Sequence, residues 1–379
     1  MTRKKILCLL SDIGGAHVSI ARVFEENLKK DFDFPIVDLY RETSAFCYGS
    51  LKLYARVLRD FPRFYNFFYD FNDKRILWNA IYRCFIKRLM MDRTKDLILT
   101  ERPDAVVSLF ALTSRIAADA RAELGLEGKL PLIVFVVDPF TIHLSWVEPR
   151  TDLYLVPSLD GRRFLASRGV KQETMRIIRY PVKSVFGEKY DRVELRKKHG
   201  IDASARTVLI MGGGDGVIPA DEISRVLLRE DGDVQVVAVA GRNRVLFHDL
   251  EASAAKWNGR MKVHGYTDII HELMTLADIV ITKPGPSTIM EAIESELPVV
   301  LTGFVPRQEE GNIDYVVSHE LGVYIRLKEI SRVCAYLHDE NWIGRVRRNM
   351  NIMKRSFPDA TGVDEIRRIV GRADDPRVH

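Results

Sequence analysis

Residues 282–292 read TKPGPSTIMEA and follow the apolar run ADIVI. A strand that breaks at Pro-Gly-Pro and re-enters a helical pattern leaves unpaired backbone N–H groups and partial positive charge at the helix start, which suits an anion such as a phosphate. Gly285, Ser287 and Thr288 stand at that entry, with Glu291 just inside the helix. The carboxylate has two readings: Thr288-x-x-Glu291 fits a capping box, or Glu291 accepts hydroxyl groups of a ligand. A second strand–glycine–helix junction, MGGGDGVIPAD (211–221), sets Gly213 and Gly214 before Asp215, exposing several N–H groups to a phosphate. It lacks the GK[ST] of a Walker A loop, and neither glycine-rich loop keeps GxGxxG spacing, so ATP hydrolysis and hydride transfer both lose ground. A third junction, SDIGGAHVSIARVF (11–24), brings His17 to a helix start, which favours the neutral imidazole that a general base needs. A packing histidine is the plainer alternative. The loop GFVPRQEEGN (303–312) adds Gln308, Glu309 and Asn312, amide and carboxylate groups suited to sugar or ribose hydroxyls.

All these loops follow β-like runs. KKILCLL, FPIVDLY, DAVVSLF, LPLIVFVV, LYLVPS and MRIIRYP alternate with helical patterns in the first half, and VLIMG, VQVVAVAG, RMKVHGY, ADIVITK, LPVVLTG and LGVYIRL do so in the second. Continuous Val/Ile/Leu runs, unlike alternating ones, predict strands buried on both faces of a parallel sheet. The fold class is therefore α/β, with two doubly wound, Rossmann-like domains. At 379 residues the chain exceeds what one core accommodates. The pattern lapses around YPVKSVFGEKYDRVELRKKHG (180–200), so the expected domains are residues 1–187 and 188–340. Helices in 341–379 would pack back on the first domain. Such domains imply a cleft, with ligands at the carboxyl ends of the strands.

A composition of 46% hydrophobic and 29% charged residues is that of a globular protein, and the longest apolar runs fall short of the ~20 residues that span a bilayer. The apolar core of MTRKKILCLLSD is too short for an export signal and reads as a first strand. Cys8, Cys47, Cys84 and Cys334 form no CxxC pair, which indicates a reduced, cytoplasmic protein without structural zinc. The formal charge of +5 is concentrated: between Leu51 and Arg93 lie ten basic residues against four acidic ones.

The block ITKPGPSTIMEAI…LPVVLTGFVPRQEEGN resembles the donor-binding signature of monogalactosyldiacylglycerol synthases and the bacterial diacylglycerol glucosyltransferases. It is more distantly similar to the N-acetylglucosaminyltransferase that makes the lipid-linked peptidoglycan precursor. The resemblance extends, in the family's order, to SDIGGAH, VVDPFTIHLSW (136–146), YPVKSVF, VLIMGGGDG and AGRNRVL (240–246), about residues 4–330 in all. The chain departs from the family pattern at Ala16, Tyr180 and Ser287, where the family has glycine. The resemblance implies a GT-B fold and inverting transfer from a UDP-sugar to a membrane lipid, with neither metal nor cofactor. It further implies that Gly285, Ser287 and Thr288 meet the diphosphate, Glu291 the ribose, and Gln308 and Glu309 the sugar or ribose. Tyr266 would flank the base, Gly213, Gly214, Asp215, Arg242 and Asn312 would complete the donor side, and His17 would serve as the base or its helper.

Fourteen of the chain's 35 Phe, Trp and Tyr residues lie between Tyr40 and Phe85. Interleaved with Arg and Lys, residues such as Phe64, Tyr65, Phe67, Phe68 and Trp78 suit an anionic membrane and its lipid. Core packing is the alternative, and single-stranded nucleic acid carries little weight. His143 and Trp146 either line an acceptor entrance or pack their own loop. The expectation is a cytoplasmic enzyme, peripheral on the inner face of the membrane, that moves galactose or glucose from a UDP-sugar to diacylglycerol. The alternatives are a transferase for a polyprenyl-linked lipid, a UDP-sugar epimerase, and a non-catalytic nucleotide-sugar-binding protein.

Overall fold

The computed structural model describes residues 3–12, 15–45, 47–49, 82, 87–303 and 309–372. In chain order, the first half runs β1 (Ile6–Leu10), α1 (Ala16–Leu28), β2 (Ile36–Asp38), α2 (Leu39–Thr43), α3 (Lys87–Glu101), β3 (Ala105–Ser108) and α4 (Ala111–Glu123). It continues with β4 (Leu132–Phe135), β5 (Leu153–Val156), α5 (Leu159–Ser167) and β6 (Met175–Ile177). The second half runs α6 (Arg192–Lys198), β7 (Arg206–Met211), α7 (Ala220–Glu230), β8 (Val234–Val239), α8 (Arg244–Ala254), β9 (Met261–His264), α9 (Ile270–Leu276) and β10 (Ile279–Thr282). Then come α10 (Pro286–Glu294), β11 (Val299–Leu301), α11 (Glu310–Ser318), β12 (Gly322–Tyr324), α12 (Val333–His338), α13 (Glu340–Ser356) and α14 (Val363–Arg372).

The strands form two parallel six-stranded sheets, ordered β2-β1-β3-β4-β5-β6 and β12-β11-β10-β7-β8-β9. The expected apolar runs supply the central strands: β1, β3, β4, β5 and β10 are buried along their whole length. Each sheet changes direction once, between β1 and β3 in the first and between β7 and β10 in the second. At such a switch point neighbouring connections leave toward opposite faces, and a crevice opens at the strands' carboxyl ends. Residues 11–24, 211–221 and 282–292 all begin there.

The chain divides into a unit formed chiefly by Met1–Pro181 with Pro358–His379 and another formed by Val182–Phe304 with Glu309–Phe357. The boundary thus lies at Pro181, six residues before the position expected from composition, and the C-terminal block is split. Helix α13 belongs to the second unit, where Lys354 bonds Glu296 at 3.0 Å. Helix α14 belongs to the first, where Arg367 bonds Asp31 at 2.9 Å and Lys4 donates to Val370 O at 2.9 Å.

The second unit is tied together by a buried carboxylate. Asp278, at the start of β10, accepts from Arg192 at 2.5 Å, Arg196 at 3.0 Å and the Thr207 amide at 2.8 Å. Burial alone would raise its carboxyl pKa, but the two guanidiniums and the amide hold it below the usual carboxylate value. Removing one partner of a buried, hydrogen-bonded pair leaves the other charge uncompensated. We expect Asp278→Ala to lower the stability of this unit by about 3–5 kcal/mol, read as an earlier midpoint in urea; an unshifted midpoint would assign the cluster no structural weight.

Candidate functional site

In the first unit, helix α1 opens on Gly15, whose φ of +79° lies in the left-handed region that favours glycine. His17 is the second residue of that helix, and its Nδ1 lies 2.7 Å from Leu109 O, on the loop after β3. A carbonyl oxygen only accepts, so Nδ1 carries the proton and Nε2 keeps its lone pair. The ring meets Phe110 edge-on at 5.2 Å, and Phe110 in turn meets Tyr40 at 5.9 Å. Burial holds the imidazole pKa down to about 4, outweighing the Leu109 carbonyl and Asp12, which act in the opposite direction. The neutral tautomer, with the Nε2 lone pair free, is therefore the form present near pH 7, the protonation state from which a base acts.

Other first-unit candidates fare differently. Trp146 is only 2% exposed and its indole Nε1 donates to Asp138 at 3.0 Å, so it packs its own loop and offers no acceptor surface. His143 caps the turn Leu144–Trp146 through Nδ1, which accepts from Ser145 N at 3.1 Å. Phe64, Tyr65, Phe67, Phe68 and Trp78 lie outside the described residues, as does Gln308. Tyr82, from the same aromatic stretch, is buried and donates to Asp119 at 2.9 Å.

In the second unit, the glycine loop after β7 is built by close backbone approach. Gly213, Gly216 and Gly241 have φ of +75°, +60° and +60°. A Cβ on Gly241 would lie 2.4 Å from Gly214 O, and one on Gly216 would lie 2.5 Å from Ala240 O. The tight packing fastens the loop after β7 to the loop after β8, with Arg242 N donating to Gly214 O at 2.8 Å. Gly216 and Val217 amides turn back on Gly213 O and Gly212 O, at 3.1 Å each. The amides of Gly213, Gly214 and Asp215 make no hydrogen bond among the described residues, the condition an anion cradle requires. Asp215 and Arg242, both exposed, pair at 3.2 Å. Tyr266, just past β9, is 68% exposed and available for stacking.

Helix α10 begins at Pro286, with Gly285 as its N-cap and no side-chain cap. Its start lies three residues earlier than a capping box at Thr288 requires, so Glu291 falls in the second turn and that reading is overturned. The physical cause is Pro286: a fixed φ and a missing N–H make it a ready first helical residue. The Glu291 side chain makes no hydrogen bond among the described residues, and burial pushes its carboxyl up to about 8, against the opposing charge of Lys183. Asn312, 4% exposed, donates from Nδ2 to Pro284 O at 2.7 Å, pinning the loop ahead of α10. Glu309, 5% exposed, accepts from Lys283 Nζ at 2.6 Å. Lys283 is a residue that motif reading passed over. Its signal was its place, the first position beyond β10 and directly before Pro-Gly-Pro.

Comparison with known proteins adds to this geometry. Residues 16–182 match the monogalactosyldiacylglycerol (MGDG) synthase family model, and residues 207–346 match the glycosyltransferase family 28 C-terminal domain. The chain is 27% identical over 370 residues to a probable monogalactosyldiacylglycerol synthase 2, chloroplastic, of Oryza sativa subsp. japonica, covering 94% of this chain and 78% of the relative. It is 28% identical over 378 residues to monogalactosyldiacylglycerol synthase 1, chloroplastic, of Arabidopsis thaliana, covering 93% and 67%. Among solved structures, a UDP-glucosyltransferase from Polygonum tinctorium superposes with a TM-score of 0.62 at 16% identity, covering 98% of this chain and 99% of that one. The fold is GT-B.

Titration tests the account of His17. With its native pKa below the ordinary 6.5, the unfolded chain binds this proton first. The stability it contributes is complete above pH 6.5 and is lost as the pH falls toward about 4. Imidazole NMR should show His17 titrating with a midpoint near 4 and Nδ1 protonated; a midpoint near 6.5 would mean that the ring is solvated.

Proposed function

We propose that this chain, a member of the monogalactosyldiacylglycerol synthase family, is a glycosyltransferase that moves a hexose from a UDP-sugar to the free hydroxyl of diacylglycerol with inversion. Two observations support the reading, each within its own unit: an unprotonated Nε2 on His17 after β1 and an anion cradle after β7, in a chain whose residues 16–182 match the MGDG synthase family model.

In this reading the acceptor hydroxyl gives its proton to His17 Nε2 as its oxygen attacks the anomeric carbon. The bond from that carbon to the β-phosphate oxygen breaks, and its electron pair leaves with UDP. A single displacement inverts the anomeric centre. The amides of Gly213 and Gly214 and the start of α10 meet the diphosphate as its charge grows, and interactions that strengthen on the way to the transition state are those that accelerate a reaction. Stabilisation of this kind needs no metal. Glu291, one turn further into α10, takes the ribose hydroxyls, and its carboxyl is held neutral for the purpose. Tyr266 stacks on the base. Among the described residues no helix is long and apolar enough to cross a membrane; the basic, aromatic stretch supplies peripheral contact with an anionic surface.

Two variants separate these roles. His17→Ala should abolish formation of galactosyl- or glucosyl-diacylglycerol from the UDP-sugar and lipid vesicles, followed by mass spectrometry, while UDP binding stays within about twofold; retained turnover would remove His17 from the chemistry. Because Glu291 is held neutral, Glu291→Gln should keep UDP affinity within a few-fold, whereas Glu291→Ala should weaken it by about tenfold, the size of a lost buried hydrogen bond. Equal losses in both would make its charge, not its hydrogen bonding, the operative property.

A further inference from the structure

Lys283 stands at the switch point of the second sheet, immediately after β10 and beside the glycine loop that leaves β7. Its ammonium is held close to both halves of the cradle. A Cβ on Gly213 would lie 3.6 Å from Lys283 Cε, and a Cβ on Gly285, the N-cap of α10, would lie 3.4 Å from Nζ. The lysine side chain therefore lies within van der Waals reach of both glycines.

The ammonium does not reach there by chance. Glu309 anchors it at 2.6 Å, and both side chains are largely buried, at 23% and 7% exposure. The backbone on either side is fixed too, since Gly285 N donates to Lys283 O at 2.7 Å and Asn312 holds Pro284 O at 2.7 Å. An ammonium has three donors, and Lys283 uses one of them, on Glu309, among the described residues. Two remain on an ammonium that lies beside Gly285 at the start of α10, while its Cε lies beside Gly213, whose amide is unengaged among the described residues.

We propose that Lys283 is a diphosphate-binding residue of the donor site, held in place by Glu309 as its positioning residue, and that it carries the charge compensation for the departing nucleoside diphosphate. The inference rests on the UDP-sugar reading and deepens it. Backbone amides and a helix start bring partial charges, whereas a lysine brings a whole one, and hydrogen bonds between ionised partners are about twice as strong as neutral ones. Glu309 keeps the ammonium oriented before the donor arrives, so little reorganisation is needed when it binds. In the transfer step the carbon–oxygen bond to the β-phosphate breaks and both electrons stay on that oxygen. Lys283 stabilises this anion by hydrogen bonding and gives up no proton to it.

The test compares UDP with uridine, which lacks the diphosphate, by calorimetric titration of the full chain. Lys283→Met keeps the length of the side chain and removes its charge. It should weaken UDP binding by about tenfold or more and leave uridine binding within about twofold. Because removing the ammonium from beside the buried Glu309 carboxylate destabilises that variant, the double variant Lys283→Met/Glu309→Gln, with neither charge, should show the same selective loss. If wild-type protein binds neither UDP nor uridine, the donor reading itself fails. If wild type binds UDP and both variants bind it equally well, or lose UDP and uridine in equal measure, the donor reading stands and the role given to Lys283 is overturned.

Discussion

Close approach of two backbone segments at the carboxyl end of the second sheet is the constraint on which the donor side depends. Gly241 and Gly214 pack so tightly that a single methyl group between them would sit 2.4 Å from a carbonyl oxygen. With that contact in place, the loop after β7 is held against the loop after β8, and its amides at Gly213, Gly214 and Asp215 have no acceptor among the described residues. Those amides belong to half-buried and exposed residues, so they stay open to solvent and can donate to an anion. The order of the strands sets where this happens, because β7 and β10 are neighbours whose connections diverge.

Burial acts on the two ends of the proposed reaction through one physical cause with opposite signs. Water lost from around an imidazole penalises its cation and lowers the pKa; water lost from around a carboxyl penalises its anion and raises it. His17 and Glu291 are both made neutral in this way. Glu309 is no less buried, yet an ammonium at 2.6 Å stands against it. Two carboxylates of the same loop system thus have different work: Glu291, with no hydrogen-bonded cation among the described residues, suits hydroxyl groups, and Glu309, bonded to Lys283, suits the handling of charge. That division moves Glu309 away from direct contact with sugar or ribose and toward the support of Lys283. Asn312 has a supporting task as well, since one Nδ2 hydrogen is committed to the Pro284 carbonyl.

The strands were legible because parallel strands covered on both faces must be apolar throughout, and such runs stand out in any sequence. All twelve anticipated runs contain strands. The loops were legible as loops, through their glycines and prolines, but the roles of single side chains within them were not. Glu291 looked like a capping residue because Thr288 precedes it by three; Pro286 was already the helix start, a distinction between two acceptable entries that only the backbone makes. Trp146 carried no sign of Asp138 as its partner, eight residues away and across a turn. Lys283 was invisible because its meaning lies in Gly213, Gly285 and Glu309, contacts made across the switch point and not along the chain. Tyr180, where relatives were expected to carry glycine, is explained by packing, buried edge-on against Phe135 at 5.8 Å.

The charge of the basic, aromatic stretch is partly committed inside the first unit, which narrows where a membrane surface could draw on it. Lys87 pairs with Asp119 at 3.2 Å and Glu123 at 3.0 Å, and Arg93 pairs with Glu42 at 2.8 Å. Tyr82 is fastened to Asp119, with the Arg115 guanidinium 4.1 Å from its ring centre. The C-terminal end of the stretch is therefore an anchor, with two of its three cations, Lys87 and Arg93, committed to carboxylates of the first unit. From Lys52 to Arg83 there remain seven basic residues against three acidic ones. At about 1 kcal/mol for each basic residue near an anionic surface, that excess still gives an appreciable attraction. It is well short of stable anchoring, however, so in the proposed reading the aromatic rings must supply most of the rest.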